Sequence, residues 1–173
     1  MEQQIQPKKT HPMTRQTIAG VLVMAVASAA MLFAAWLMTS VPLVRDPVQT
    51  ELLYVAVYLS RNECVTWHPK SMVEKQTARA IVDYMGDCRE RPTLHLAKKV
   101  LETRPRMEVH FRTEDTYRVV YLGSWEKPGE EVGWVSDQDY SGLAAKVLDG
   151  DLLMDSIYDH VSQHLSLPKN NGS

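Results

Sequence analysis

The residues with the clearest chemical potential in this 173-residue chain are two cysteines, six histidines and a group of late aromatics. Cys64 and Cys88 are the whole cysteine complement. An even count in an exported domain points to a disulfide. A Cys64–Cys88 bridge would close a loop of about 25 residues and restrict the unfolded chain by roughly 3 kcal/mol. The spacing is not Cys-x-x-Cys, which argues against a thioredoxin-type redox pair. The alternative is a zinc site drawn from Cys64, His68, Cys88 and His95. Its spacings of three and six intervening residues lack the paired knuckle of such sites.

His160 and His164 are four apart, so on a helix they share a face and form a weak candidate for a divalent metal. Gln163 precedes His164 and Val161 follows His160, so the pair lacks the His-Glu-x-x-His base of metalloproteases. No metal and no cofactor is therefore assigned. Trp125 and Trp134 flank a Lys127-Pro128-Gly129-Glu130 turn and are expected to face each other across two strands, with Tyr140 close behind. Buried, the three are core; exposed, they are candidates for an interaction surface. No nucleophile elbow, P-loop or dinucleotide fingerprint occurs, and Ser124 in Gly123-Ser124-Trp125 is not a nucleophile motif. No catalytic residue is assigned.

These residues need elements to hold them, and the first is an anchor. No charged side chain occurs between Arg15 and Arg45. Within that gap Ile18–Met38 is almost wholly apolar, and a helix of about 21 residues spans roughly 30 Å, the depth of a bilayer's hydrocarbon layer. Lys8, Lys9 and Arg15 precede it, whereas Arg45 with Asp46 beside it follows. The positive-inside tendency then puts the N-terminus in the cytoplasm and the rest outside it. Ala27-Ser28-Ala29 offers a cleavage-like signal, but the apolar run continues past it through Trp36, which favours an uncleaved signal anchor. Ala25 with Ala29, and Ala30 with Ala34, place small residues four apart, as in helices that pack closely in lipid.

After Pro47, residues 48–59 combine helical spacing (Leu52, Ala56, Leu59) with strand formers (Tyr54, Val55, Val57), and helix is the preferred reading. Ser71 and Glu74 form a capping box for a helix that Gly86 would end. Arg91-Pro92-Thr93 opens another, with Leu94, Ala97, Val100 and Leu101 on one face, up to Pro105. The period then changes to two. Met107, Val109 and Phe111 alternate with Glu108, His110 and Arg112, and two further short strands follow within residues 117–135. Glu108, His110, Arg112 and Arg118 are read as the wet face of this meander. Leu143, Val147, Met154, Ile157, Val161 and Leu165 read as a terminal helix that Gly150 can interrupt.

The expected fold is therefore α+β, a transmembrane helix followed by a small domain with a three-stranded antiparallel meander packed on helices. The segments are a cytoplasmic tail (1–16), a transmembrane signal anchor (17–41), a linker (42–50), an extracytoplasmic, periplasmic domain (51–167) and a disordered tail (168–173). A net charge of −2 argues against nucleic acid as a partner. The partners implied are membrane lipid and other membrane or periplasmic proteins, with a small-molecule ligand as a further candidate. The location expected is a cell inner membrane, crossed once. Three functions fit: an assembly subunit of an envelope complex of secretion, conjugation or pilus type; a membrane-tethered sensor or co-regulator; and an enzyme of unrecognised type.

Overall fold

The computed structural model describes residues 15–97, 104–114, 116–126, 133–137 and 142–165. The chain divides into two units, 1–36 and 37–173. The first contains most of helix α1 (Arg15–Met38). Its segment Ile18–Met38 is long and apolar enough to cross a membrane, and its window of highest hydropathy is not buried. Apolar side chains point to all sides, so the helix has no polar face to turn to water.

The second unit is built on one eight-stranded sheet. Its strands are β1 (Val41–Pro42), β2 (Glu51–Ser60), β3 (Glu63–Trp67), β4 (Arg89–Leu96), β5 (Met107–Arg112), β6 (Tyr117–Leu122), β7 (Gly133–Asp137) and β8 (Leu143–Val147). They lie in the order β1-β4-β8-β7-β6-β5-β2-β3, and every neighbouring pair is antiparallel. The predicted meander is present as β5-β6-β7, but it is the middle of a much wider sheet.

Helices α2 (Met72–Asp87) and α3 (Gly150–Ser162) pack on one face. Val55, Val57, Met107, Val109, Phe111, Val120 and Leu122 meet Ile81, Val82, Met85, Leu153, Ile157 and Val161 there, and all of them are buried. The opposite face carries its own small cluster, with Val119, Tyr121 and Ala144 buried beside Ala97 and half-buried Trp134. The sheet is thus dry on parts of both faces, not on one alone.

Parts of three segments read as helix are strands, while Ala97 is helical and the rest of the second of these readings, including Val100 and Leu101, lies outside the described residues. Residues 51–60 are β2, whose Val55 and Ala56 are both buried, on opposite faces. A strand covered on both sides reads as a continuous apolar run, which periodicity cannot separate from a helix. Arg89–Leu96 is β4, with Leu94 60% exposed where the helix reading made it core. Pro92 is accommodated because β1 pairs only with Arg89 and Glu90, so β4 is an edge beyond them. Residues 143–147 are β8, and the terminal helix begins only at Gly150. Asp149 joins the two in the left-handed conformation (φ 57°), which aspartate tolerates better than most residues.

The capping box at α2 is present as read. The Ser71 hydroxyl accepts from the Glu74 amide at 3.2 Å, and the Glu74 carboxylate accepts from the Ser71 amide at 2.7 Å. Gly86 does not end this helix; it sits in the last turn, where an added Cβ would come within 2.9 Å of Pro47. The backbone and side-chain hydrogen bonds from Ser71 hold the Glu74 carboxyl down at about 2. A depressed carboxyl stabilises above its unfolded value and loses that contribution as pH falls through its folded value. Acid titration of Ser71→Ala should therefore show Glu74 ionising closer to the ordinary carboxylate range. Removing this cap should lower stability by about 1 kcal/mol, read from urea unfolding at neutral pH.

Candidate functional site

A largely enclosed ion pair lies on the helix-covered face of the second unit. On β6, Val120 and Leu122 point into the core, and alternation carries Arg118 to the same face. Its Nη2 donates to both Glu90 oxygens at 3.0 and 2.7 Å, and its Nη1 donates to the Leu43 carbonyl at 3.1 Å. Asp137 on β7 lies 3.8 Å from the Arg118 Nε. The two paired side chains are only 19% and 10% exposed. Burial pushes the Glu90 carboxyl up, against the opposing pull of the Arg118 guanidinium. Above this pair opens a cavity of about 420 Å³, lined by Leu43, Arg45, Asp46 and Gln49 from the linker and by Thr113, Glu114, Thr116 and Asp137 from the sheet. That volume is in the range of small-molecule sites.

A second constellation occupies the other face. Glu108 and His110 point the same way from β5, and Tyr54 on β2 stands in register with His110, with ring centroids 3.9 Å apart. The His110 ring nitrogens lie 2.7 Å from the Tyr117 hydroxyl and 3.0 Å from Glu108 Oε2. The Tyr58 hydroxyl donates to Glu108 Oε1 at 2.8 Å. Burial, then the hydrogen bond to Glu108, push the Tyr58 phenol up, so it stays a donor. Tyr58, Glu108, His110 and Tyr117 thus form a continuous relay of titratable groups. The wet-face reading is corrected here: His110 is 6% exposed, and Arg118 belongs to the helix-covered face. The spacing of Glu108 and His110 was legible; the aromatic cover was not, because Tyr54 comes from a strand read as helix.

The disulfide expectation is overturned. Both thiols are free, Cys64 exposed and Cys88 half-buried. Cys64 lies on edge strand β3, and Cys88 caps α2 just before β4, with five strands between β3 and β4. At about 4.8 Å per strand that is far beyond the roughly 7 Å limit for a bridge. The Cys/His zinc set fails for the same reason. Burial, with Asp87 and Asp149 nearby, raises the Cys88 thiol to about 11. A thiol displaced upward by that much holds about a hundredfold less thiolate at neutral pH. Without reductant, maleimide should label Cys64 quickly and Cys88 slowly, each followed by peptide mass.

The other sequence candidates are dispersed. His160 Nδ1 lies 2.7 Å from the Ser156 carbonyl, whereas His164 Nε2 meets the Thr77 hydroxyl at 2.9 Å and its ring stacks on Trp67. They are engaged separately. Among the described residues no three His, Cys, Asp or Glu side chains converge as a metal cluster. Trp125 and Trp134 do not form the expected cross-strand pair. Trp125 follows the end of β6 under the Arg106 guanidinium, while Trp134 pairs with Tyr121 and Lys146 in register and has His95 beside it. Tyr140, the Lys127–Glu130 turn, the segment 166–173 and most of the tail 1–16 lie outside the described residues. Ala25, Ala29, Ala30 and Ala34 are all exposed on α1.

The sheet's two edges differ. β1 is two residues long and contains Pro42, and beyond it β4 is the edge, with Pro92 in the uncovered part. β3 pairs only with β2, has five residues and contains neither Lys nor Pro. Short strands, lysines and prolines are the usual means of blunting an edge, and β3 uses none of the last two. No family model, no curated protein and no solved structure matches this chain.

Proposed function

We propose that this chain is a single-pass inner-membrane protein whose extracytoplasmic domain is a non-enzymatic interaction subunit of an envelope complex. The observation that carries this reading is the unequal treatment of the sheet edges. The β1 end carries a proline on each exposed strand, Pro42 on β1 and Pro92 on the uncovered part of β4, whereas β3 offers its outer backbone groups and exposed Glu63, Cys64 and Thr66 to a partner strand. An extended segment of a membrane or periplasmic protein would add there as a ninth strand. The α1 helix supports the anchoring, and the flanking charges support the orientation. With the thiols free, the cysteine count no longer bears on compartment.

A photo-crosslinking residue at Thr66 of the full-length chain, in its own membrane, tests the reading. The expected result is a discrete adduct with one envelope protein, lost when Cys64→Lys adds an edge lysine. The control position is exposed Lys146 on interior strand β8. Equal adducts at both positions, or none at Thr66, would contradict it.

One observation favours a second reading, a membrane-tethered sensor that binds a small ligand. The cavity above Arg118 and Glu90 is formed partly by residues 43–49, the segment that follows the anchor. A ligand there would touch both the linker and the sheet.

A further inference from the structure

We propose that the sheet face opposite the helices, at the β4–β8–β7 end, docks on anionic phospholipid headgroups of the membrane that α1 crosses. The inference rests on the reading of α1 as a membrane span.

The face follows from register. Arg91 stands opposite Lys146, and Lys146 stands opposite Trp134, so the three side chains share one face. Trp134 packs with the cluster of Val119, Tyr121 and Ala144, which makes this the face away from α2 and α3. Arg89 precedes Arg91 by two residues on the same strand and joins them by alternation. His95 lies against Trp134, with ring centroids 5.0 Å apart. Arg89, Arg91, His95 and Lys146 are exposed, and Trp134 is half-buried.

The positive charge on this face is unmatched. Among the described residues no carboxylate lies within ion-pair distance of Arg89, Arg91 or Lys146. The neighbouring charges are placed elsewhere. Asp87 ends α2 and Asp149 precedes α3, and both flank Cys88, which packs on the helix-covered core. Glu90 is taken by Arg118, and Arg45 and Asp46 line the cleft above that pair. Glu108, further along the proposed face, is engaged by Tyr58 and His110. Fixed cations beside an indole match a lipid surface, where phosphates meet the charges and an amphipathic ring settles at headgroup depth.

The connectivity of the chain favours a membrane over a soluble acidic partner. The Arg89 Nε donates to the Ser40 hydroxyl at 3.0 Å, and its Nη2 donates to the Ser40 carbonyl at 2.7 Å. Ser40 is two residues past Met38, the end of α1, which is at most about 7 Å of chain. A span that ends at Met38 therefore leaves this clamp within the headgroup layer. Arg91 and Lys146 continue the basic stripe from it. Pro42 and Pro92 close the same edge to a partner strand, so side chains rather than backbone make the contact. Exposed Leu94 and Leu96 on β4 add apolar area beside the charges.

The test uses the full-length chain in nanodiscs of phosphatidylcholine alone, and of phosphatidylcholine with about one-third phosphatidylglycerol. In a Cys64→Ser, Cys88→Ser background, His95→Cys carries a fluorophore that nitroxide-labelled lipid headgroups quench. The control fluorophore sits on native Cys64, at the opposite edge of the sheet, in a Cys88→Ser background. The expected result is stronger quenching of the β4 probe in anionic discs, reversed by about 0.5 M salt, with no such change at Cys64. In the double variant Arg91→Gln, Lys146→Gln the docked-to-free ratio should fall about thirtyfold, from roughly fivefold per basic side chain. Both substituted residues are exposed, so the fold should survive their loss. Equal quenching in the two lipids, or quenching unmoved by the double variant, would overturn the docking face while leaving the span intact. That is also the outcome an acidic protein partner would give. A chain that does not enter the discs at all would overturn the span, and the docking face with it.

Discussion

Arg118→Ala should destabilise the folded domain by about 3–5 kcal/mol, because it leaves a buried carboxylate without its counter-charge. Glu90 is 8% exposed, and both of its oxygens are taken by Arg118. Removing the guanidinium forces Glu90 either to stay charged in a poorly solvated place or to take up a proton. The pH dependence follows from the direction of the shift. The folded Glu90 carboxyl already lies above its ordinary value, so the native state holds this proton more tightly than the unfolded chain does. Stability from this group therefore falls as pH rises through that window. Arg118→Ala moves the carboxyl further up and widens the window. The loss should be largest near neutral pH and shrink on acidification, toward the cost of the missing hydrogen bonds. Urea unfolding of both proteins, followed by tryptophan fluorescence at neutral pH and near pH 4, reads this directly. Replacing the pair together, as Arg118→Met with Glu90→Leu, should restore most of the loss, since a buried ion pair and an apolar pair of similar volume often differ little.

Phe111→Ala should cost about as much, roughly 3–5 kcal/mol, by a different mechanism. Phe111 is fully buried in the cluster between the sheet and helices α2 and α3. It stands opposite Leu52 on one neighbouring strand and Arg118 on the other. Truncation removes the transfer energy of the ring and leaves a cavity the close-packed surroundings cannot fill. This loss has no titrating group behind it, so it should be independent of pH across the range where Arg118→Ala varies. Leu94→Ala is the informative contrast. With its side chain mostly exposed on β4, it should change stability by no more than about 0.5 kcal/mol. A core-sized loss at Leu94 would instead favour the helix that its spacing suggests.

Local features of this chain were readable, and long-range ones were not. The Ser71–Glu74 box is a property of four consecutive residues and appears as read. The alternation of Met107, Val109 and Phe111 places these side chains in the core. Ile18–Met38 stands out by composition alone. The failures share a cause: the pattern of a strand depends on what covers it. β2 is buried on both faces, so its run of apolar residues carried no period of two. β4 combines a proline, a buried glutamate and exposed leucines because it changes from interior to edge along its length. β8 is five residues long and was absorbed into the helix that follows it. The sites depend on those strands. Arg118 and Glu90 are 28 residues apart and meet because β4 and β6 end beside the linker at Leu43. His110 is buried because Tyr54 lies over it. Neither meeting has a spacing that a single sequence can display.

The claim beneath the proposed function is that α1 crosses a membrane and delivers the sheet domain to the far side. Cys64, exposed on β3, is a built-in reporter of that placement. In a Cys88→Ser background, a membrane-impermeant maleimide applied to spheroplasts with intact inner membranes should label Cys64 at the same rate before and after lysis. Labelling that appears only after lysis would put the domain in the cytoplasm and contradict the account.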